Sequence, residues 1–266
     1  MVDSEILMAL LKKKGFSFTE DLRFARVFII NTCAFIESAK QESIDAILEA
    51  ASFKEKKSDN GKLLIVTGCL SQRYPNELRK EIPQIDAVFG TSDFVKIPQF
   101  ICHSEARRAE ESNKILRRHG VYPERSRRGT PQNDISVQFV SETPRFLYNH
   151  KFNRAFITPP HYAYIKLQEG CMNNCSYCVI PKLRGPYRSR DFDSVIKEVE
   201  LLKKTKNIKE INLIGQDTTL YGIDKYGKVR LAELLKKLAK IMKNGWIRLL
   251  YAHPAHYSDE LINIIS

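Results

Sequence analysis

The chain has 266 residues, 43% of them hydrophobic and 10% aromatic, a composition that supports two modest domains and excludes a globally disordered protein. Its formal charge of +12, from 43 Lys and Arg against 31 Asp and Glu, draws it toward polyanions such as RNA or ribosomes without specifying one. No apolar run approaches the ~18 residues of a membrane span, and Asp3 and Glu5 stand where a secretory signal needs a basic start, so a cytoplasmic protein without a membrane partner is expected.

In chain order, Val2 to Lys14 carries Ile6, Leu7, Leu10 and Leu11 at helical spacing. Val27 to Ile30 reads as a buried strand and Phe35 to Ala51 as a helix. Leu63 to Val66 and Ala87 to Phe89 are further strands, followed by helices over Gln72 to Lys80 and Ser92 to Ile101. Strict alternation of strand and helix predicts an α/β domain over residues 1–101, a parallel sheet covered by helices. The lysine-rich runs at 12–14, 54–57 and 203–206 fall where helices end, and read first as solvated, dipole-compensating charge. Cys33 and Cys69 each follow a strand, at the sheet edge where open α/β folds place ligands. They are either converging metal ligands or ordinary buried thiols.

His103 to Asp134 has almost no apolar residues and repeats an Arg-rich pattern, Ser104 to Glu110 and Pro123 to Gly129. With Cys102 it is expected to form a disordered insertion over 102–134, and residues 135–158 a linker. From 159 onward the alternation resumes. Tyr162 to Leu167, Glu210 to Ile214 and Ile247 to Tyr251 read as strands, and Ser194 to Lys204, Val229 to Met242 and Ser258 to Ile265 as helices. Three βα units are too few to close a barrel.

Three of the six cysteines lie between Cys171 and Cys178, and in a reducing compartment such crowding means metal ligands rather than disulfides. Their spacing is C-x3-C-x2-C, with Cys175 in the middle. Three thiolates on one short loop can hold three corners of a four-iron cubane and leave one iron open. S-adenosylmethionine (SAM) can chelate that iron through its amino and carboxylate groups. Structural zinc needs four closed ligands and only His161 is near as a fourth. A bacterial ferredoxin needs a different spacing and a fourth Cys before Pro. Tyr177, beside the last ligand, is placed to shield the cluster.

The stretch from Gly170 through Cys178-Val-Ile-Pro-Lys-Leu-Arg-Gly-Pro-Tyr-Arg-Ser-Arg190, with Asn31-Thr-Cys33 and Thr67-Gly-Cys69, resembles the radical SAM methylthiotransferases. The likeness covers about 1–100 and 159–266. It implies a flavodoxin-like N-terminal domain and, over 159–266, a radical SAM (β/α) partial barrel. It also implies two 4Fe-4S clusters, one on Cys171, Cys175 and Cys178. The second is an auxiliary cluster for which Cys33 and Cys69 match two of three family ligands. Asn31 to Ile44, Gln216 to Gly222 and Arg248 to Pro254 resemble the members that modify an aspartate of a small-subunit ribosomal protein. The tRNA-modifying members have Gln-Asn-Val where this chain has Gln216-Asp217-Thr218.

The resemblance further implies that SAM cleavage yields a deoxyadenosyl radical that takes hydrogen from the aspartate β-carbon, to which a methylated sulfur from the auxiliary cluster then bonds. Arg188 or Arg190 matches the SAM carboxylate by its guanidinium fork. Gln216 is expected to contact cofactor and Asp217 to be catalytic. The expected partners are the ribosomal protein or the ribosome, an electron donor such as flavodoxin or ferredoxin, and a sulfur donor. Against the family pattern, the chain is expected to lack a first strand with its Gly-Cys element, and the remainder of the barrel with its terminal β-domain. Cys102 matches no family ligand position. A tRNA adenosine methylthiotransferase and a non-catalytic iron-sulfur protein are the alternatives.

Overall fold

A computed structural model describes residues 1–54, 61–106 and 137–266. Helix α1 (Val2–Lys13) buries Val2, Ile6, Leu7 and Leu11. Strands β1 (Val27–Thr32), β2 (Leu63–Gly68) and β3 (Ala87–Phe89) pair in parallel, Val27 opposite Leu63 and Ile65 opposite Ala87. Every residue of β2 is buried. Its side chains alternate between two cores as the period of two requires. Leu64 and Val66 pack with Ile47, Ala50 and Ala51 of α2 (Glu37–Lys54), while Leu63 and Ile65 pack with Ile6 and Leu7 of α1. Each such aliphatic side chain contributes about 1.5–3 kcal/mol of burial.

The helix expected over Gln72 to Lys80 is two short helices, α3 (Cys69–Arg73) and α4 (Pro75–Glu81). They break at Tyr74 because Pro75 has no N–H and disfavours helical backbone before it. The helix expected to stop at Ile101 continues as α5 over residues 97–106, with the Ser104 hydroxyl donating to the Phe100 carbonyl at 2.9 Å. The insertion expected over 102–134 thus begins as helix, and its residues from 107 on lie outside the described residues. The stretch 135–158 is more than a linker. Strand β4 (Val137–Phe139) adds to the sheet in parallel with β3, and Phe139 stacks on Phe89 with ring centroids 4.8 Å apart. Phe146, Tyr148 and Phe152 then pack onto the α1-side core.

In the second half, β5 (Tyr162–Lys166), β8 (Glu210–Ile214) and β9 (Trp246–Leu249) form a parallel sheet in the order β5-β8-β9. Helices α7 (Phe192–Lys206) and α9 (Leu231–Met242) cross over between them, with the single turn α8 (Ile223–Tyr226) ahead of α9. Helix α7 starts two residues earlier than its apolar face suggests, because the Asp191 carboxylate accepts the N–H groups of Asp193 and Ser194. Leu231, Leu234, Leu235, Leu238 and Met242 give α9 one buried stripe. The last helix, α10 (Asp259–Ile265), packs on α9. A short antiparallel ribbon, β6 (Gln168–Glu169) with β7 (Arg188–Ser189), stands beside this sheet.

The two halves meet along a buried ionic seam. Arg154 joins Glu5 of α1 (2.5 Å) to Glu198 of α7 (2.7 Å). Lys166 on β5 contacts Asp3 and Glu169, both at 2.6 Å. Arg190 pairs with Glu198 at 2.6 Å. Burial raises the Asp3 carboxyl, but Lys166 and Arg184 outweigh it and hold its pKa at about 2.

Candidate functional site

The cysteine triplet rides on the excursion between β6 and β7. Gly170 opens it at φ +82, and a Cβ there would sit 2.1 Å from the Pro186 carbonyl. Only glycine permits both the backbone and the close approach. The Gly170 N–H donates to Gln216 Oε1 at 2.7 Å, which fixes the base of the loop to the end of β8. The Cys171 thiol is buried and accepts the Asn173 N–H at 3.4 Å. Burial pushes it above its ordinary value, the Asn173 N–H opposes this, and the charges of Asp217 and Cys178 add to it. The Cys178 N–H donates to the Cys175 carbonyl at 3.0 Å, closing a turn that leads into α6 (Ile180–Arg184).

Three thiols on one loop, partly buried and held from both flanks, match an iron-sulfur donor set by chemistry. Among the described residues no group of three or more His, Cys, Asp or Glu side chains converges on a single metal ion. A four-iron cluster spreads its thiolates over separate irons and needs no such convergence.

Cys33 and Cys69 are brought together by the pairing of β1 with β2. Gly68, at φ +105, lets the end of β2 lie against β1, since a Cβ there would be 2.5 Å from the Thr32 carbonyl. The Thr32 hydroxyl donates to the Thr67 carbonyl (2.7 Å) and accepts the Leu70 N–H (3.2 Å). The Cys33 N–H donates to Ser43 Oγ at 3.0 Å. Burial raises the Cys69 thiol, Arg184 opposes it, and the charge of Cys33 adds to it. Arg184, the last residue of α6, donates through Nη2 to Cys69 Sγ at 3.3 Å, and through Nη1 to Glu169 at 3.0 Å and Asp3 at 3.4 Å. One guanidinium therefore ties Cys69 to the helix that follows the triplet loop.

The remaining expected residues take defined places. Tyr177 is 85% exposed. Arg188 donates to the carbonyls of Pro186 and Arg184, bracing the end of the loop. Arg190 is buried on the Tyr148 ring and donates to Glu198, Tyr148 and the Lys166 carbonyl, which accounts for its charge without a ligand. Gln216 acts on the loop base. The Asp217 carboxylate is buried and accepts from Thr219 N–H and Oγ1 and from Asn173 Nδ2, and it contacts His256 Nδ1 at 2.8 Å. Burial raises its pKa, and those contacts bring it below the ordinary value. Sequence reasoning missed Arg184, Asn173 and His256. Arg184 and Asn173 lay inside the motif from Gly170 to Arg190, while His256 is distant in sequence from the carboxylate it meets.

The cysteine-bearing loop lies at the carboxyl edge of a parallel βα sheet, and residues 165–265 match the Radical SAM superfamily. Residues 1–90 match Uncharacterized protein family UPF0004. The chain is 46% identical over 265 residues to ribosomal protein uS12 methylthiotransferase RimO of Clostridioides difficile (strain 630), covering 100% of this chain and 53% of that protein. It is 44% identical to the protein of the same name from Caldicellulosiruptor saccharolyticus, again covering 100% of this chain and 53% of the relative. The chain thus carries UPF0004 and Radical SAM domains and is similar along its whole length to these methylthiotransferases. It spans about half the length of the curated relatives it matches. In fold it is similar to the radical S-adenosylmethionine methyltransferase TsrM from Kitasatospora setae with cobalamin and [4Fe-4S] cluster bound, at a TM-score of 0.61 and 14% identity over 99% of this chain and 55% of that one.

Proposed function

We propose that the chain carries the catalytic residues of a methylthiotransferase that modifies the β-carbon of an aspartate in a small-subunit ribosomal protein. The observation that carries this reading is the loop bearing Cys171, Cys175 and Cys178 beside the β5-β8-β9 sheet, with Cys33 and Cys69 paired at the end of the β1-β2 ladder and Arg184, after that loop, bonded to Cys69. The name of the relatives supports the substrate class. Cys171, Cys175 and Cys178 would hold a 4Fe-4S cluster that binds SAM, and Cys33 and Cys69 would contribute to a second. When bound, these groups supply the electron and the sulfur for radical methylthio transfer. Gln216 and Arg188 hold the loop in shape, and Asp217 anchors Asn173 within it. Tyr177 and Met172 are exposed on the loop and form the apolar rim that a reductant such as flavodoxin or ferredoxin meets, while sulfur comes from a separate donor.

Residues 1–101 and 159–266 form the two working halves of a cytoplasmic protein. Among the described residues no helix is long and apolar enough to cross a membrane. The test is anaerobic reconstitution followed by electron paramagnetic resonance with and without SAM. Replacing Cys171, Cys175 and Cys178 together by Ala is expected to abolish the SAM-perturbed signal and all deoxyadenosine formation. An unchanged signal sinks the assignment. Offering ribosomes and tRNA separately and seeking the methylthio mass increment on each decides the substrate class.

A further inference from the structure

Charge in the second half of the chain is sorted between the two edges of the β5-β8-β9 sheet. Acids mark the helix starts at the carboxyl edge, with Asp191 and Asp193 at α7, Glu233 at α9, and Asp259 and Glu260 at α10. Lysines mark the opposite, amino edge. Leu201 to Lys209 holds Lys203, Lys204, Lys206 and Lys209 and no acid, and Ala239 to Gly245 holds Lys240 and Lys243 and no acid. Glu210, which begins β8, is paired with Arg248 at 2.9 Å. The two lysine-bearing turns are joined, since the Lys209 carbonyl accepts the Trp246 N–H at 2.8 Å. Helix dipoles account for cations in a last turn, but Lys209 lies three residues past the end of α7. Lys243 turns at φ +45, where glycine or asparagine is the usual choice, so the backbone does not explain a lysine there. Lys225, Arg230 and Lys236 are paired with Asp191, Glu233 and Glu260. Lys204, Lys209, Lys240 and Lys243 are exposed and make no ion pair among the described residues.

Unpaired cations crowded on one edge repel one another, and a strand of phosphates relieves that repulsion while releasing its own condensed counterions. We infer that the amino edge of this sheet, through Lys204, Lys209, Lys240 and Lys243, is a docking surface for the phosphate backbone of RNA. The cysteine loop is tied to the other end of β8 by the bond from the Gly170 N–H to Gln216. The five residues of β8 set the two edges about 16 Å apart, within the span of one RNA-containing particle. The inference deepens the proposed ribosomal substrate and rests on that reading for which RNA is met: a ribosomal protein at the cysteine loop, and RNA of the particle that carries it at the lysines.

The experiment needs no cluster, so its failure leaves the assignment of Cys171, Cys175 and Cys178 standing. Binding of a labelled single-stranded oligouridylate to the full chain is followed by fluorescence anisotropy across a salt series. One variant combines Lys209→Gln, Lys240→Gln and Lys243→Gln. A control combines Lys12→Gln, Lys13→Gln and Lys14→Gln, an exposed run at the end of α1 with the same change of charge. The slope of log affinity against log salt is expected to become shallower by about 2 in the first variant, at ~0.7 per phosphate contact on a single strand, and to stay close to the parent's in the control. Circular dichroism of both should match the parent. Equal losses in the two variants show that net charge alone attracts RNA, and a parent-like slope in the first shows that this edge is not used; either result overturns the inference, as does a parent that does not bind the RNA. Anionic phospholipid vesicles give the last arm. If the first variant loses vesicle binding and keeps RNA binding, the edge is a lipid contact and the inference fails.

Discussion

Asp217, expected to be catalytic, lies among hydrogen-bond partners drawn from the cysteine loop and from beyond β9. Its place at the carboxyl end of a strand was legible from the alternating pattern, because Glu210 to Ile214 reads as a strand on its own. Its partners were not legible, since Asn173 and His256 approach only through the tertiary fold. The carboxylate accepts from the cysteine loop and meets the β9–α10 connection together, so it braces the loop. Asp217→Asn puts an amide N–H where the oxygen faces donors. It is expected to cost about 1–3 kcal/mol and to lower the iron retained by the triplet. Thermal denaturation and iron content after reconstitution measure the two effects; a variant as stable and as iron-rich as the parent contradicts this role. Arg190 gives the converse lesson. A guanidinium near the cysteine motif suits a carboxylate ligand by chemistry, but Tyr148 and Glu198, which enclose it, come from segments whose approach no local pattern announces.

Among the elements, the triplet loop depends most on one backbone position. Gly170→Ala places a methyl group on the Pro186 carbonyl at a positive φ, so β6 and β7 must separate or the loop must turn elsewhere. Strain of this kind costs about 1–3 kcal/mol. The ribbon is short, so the expected outcome is loss of most triplet iron with the far-ultraviolet circular dichroism largely retained. Full iron binding by this variant means that the loop tolerates another course. Long apolar strands and amphipathic helices were readable because their periodicity is local. Strand β4 was not, since three residues following a polar stretch carry no period, and Phe139 acquires its meaning only against Phe89. The break between α3 and α4 was available in Pro75, whose effect on Tyr74 is a local rule.

At the scale of the molecule, the seam pairs Arg154, Lys166, Arg184 and Arg190 with Asp3, Glu5, Glu169 and Glu198. Nothing in the sequence matched these residues to each other, because each pair joins segments far apart or on opposite sides of a turn. Removing one member leaves a buried charge without its partner, which costs about 3–5 kcal/mol. Arg154→Met is accordingly expected to lower the denaturant midpoint strongly, and a change below about 1 kcal/mol marks the pair as no better than a surface one. Asp3 adds a pH signature. Its folded pKa, about 2, lies below the ordinary 3.8, so its stabilising contribution is complete above the unfolded value and is lost as pH falls from 3.8 toward 2. The stability difference between the parent and Asp3→Asn should be constant from pH 7 to 5 and shrink below pH 4. A difference that stays flat to pH 2 shows that Asp3 is not held ionised.

The same seam decides how the protein comes apart. Its charges are shared between the halves, so each half folded alone would carry buried carboxylates or cations without the partners that balance them. Calorimetry should therefore record one transition whose van't Hoff and calorimetric enthalpies agree. Amides of β2 and β8, on opposite sides of the divide, should exchange with solvent through the same global opening.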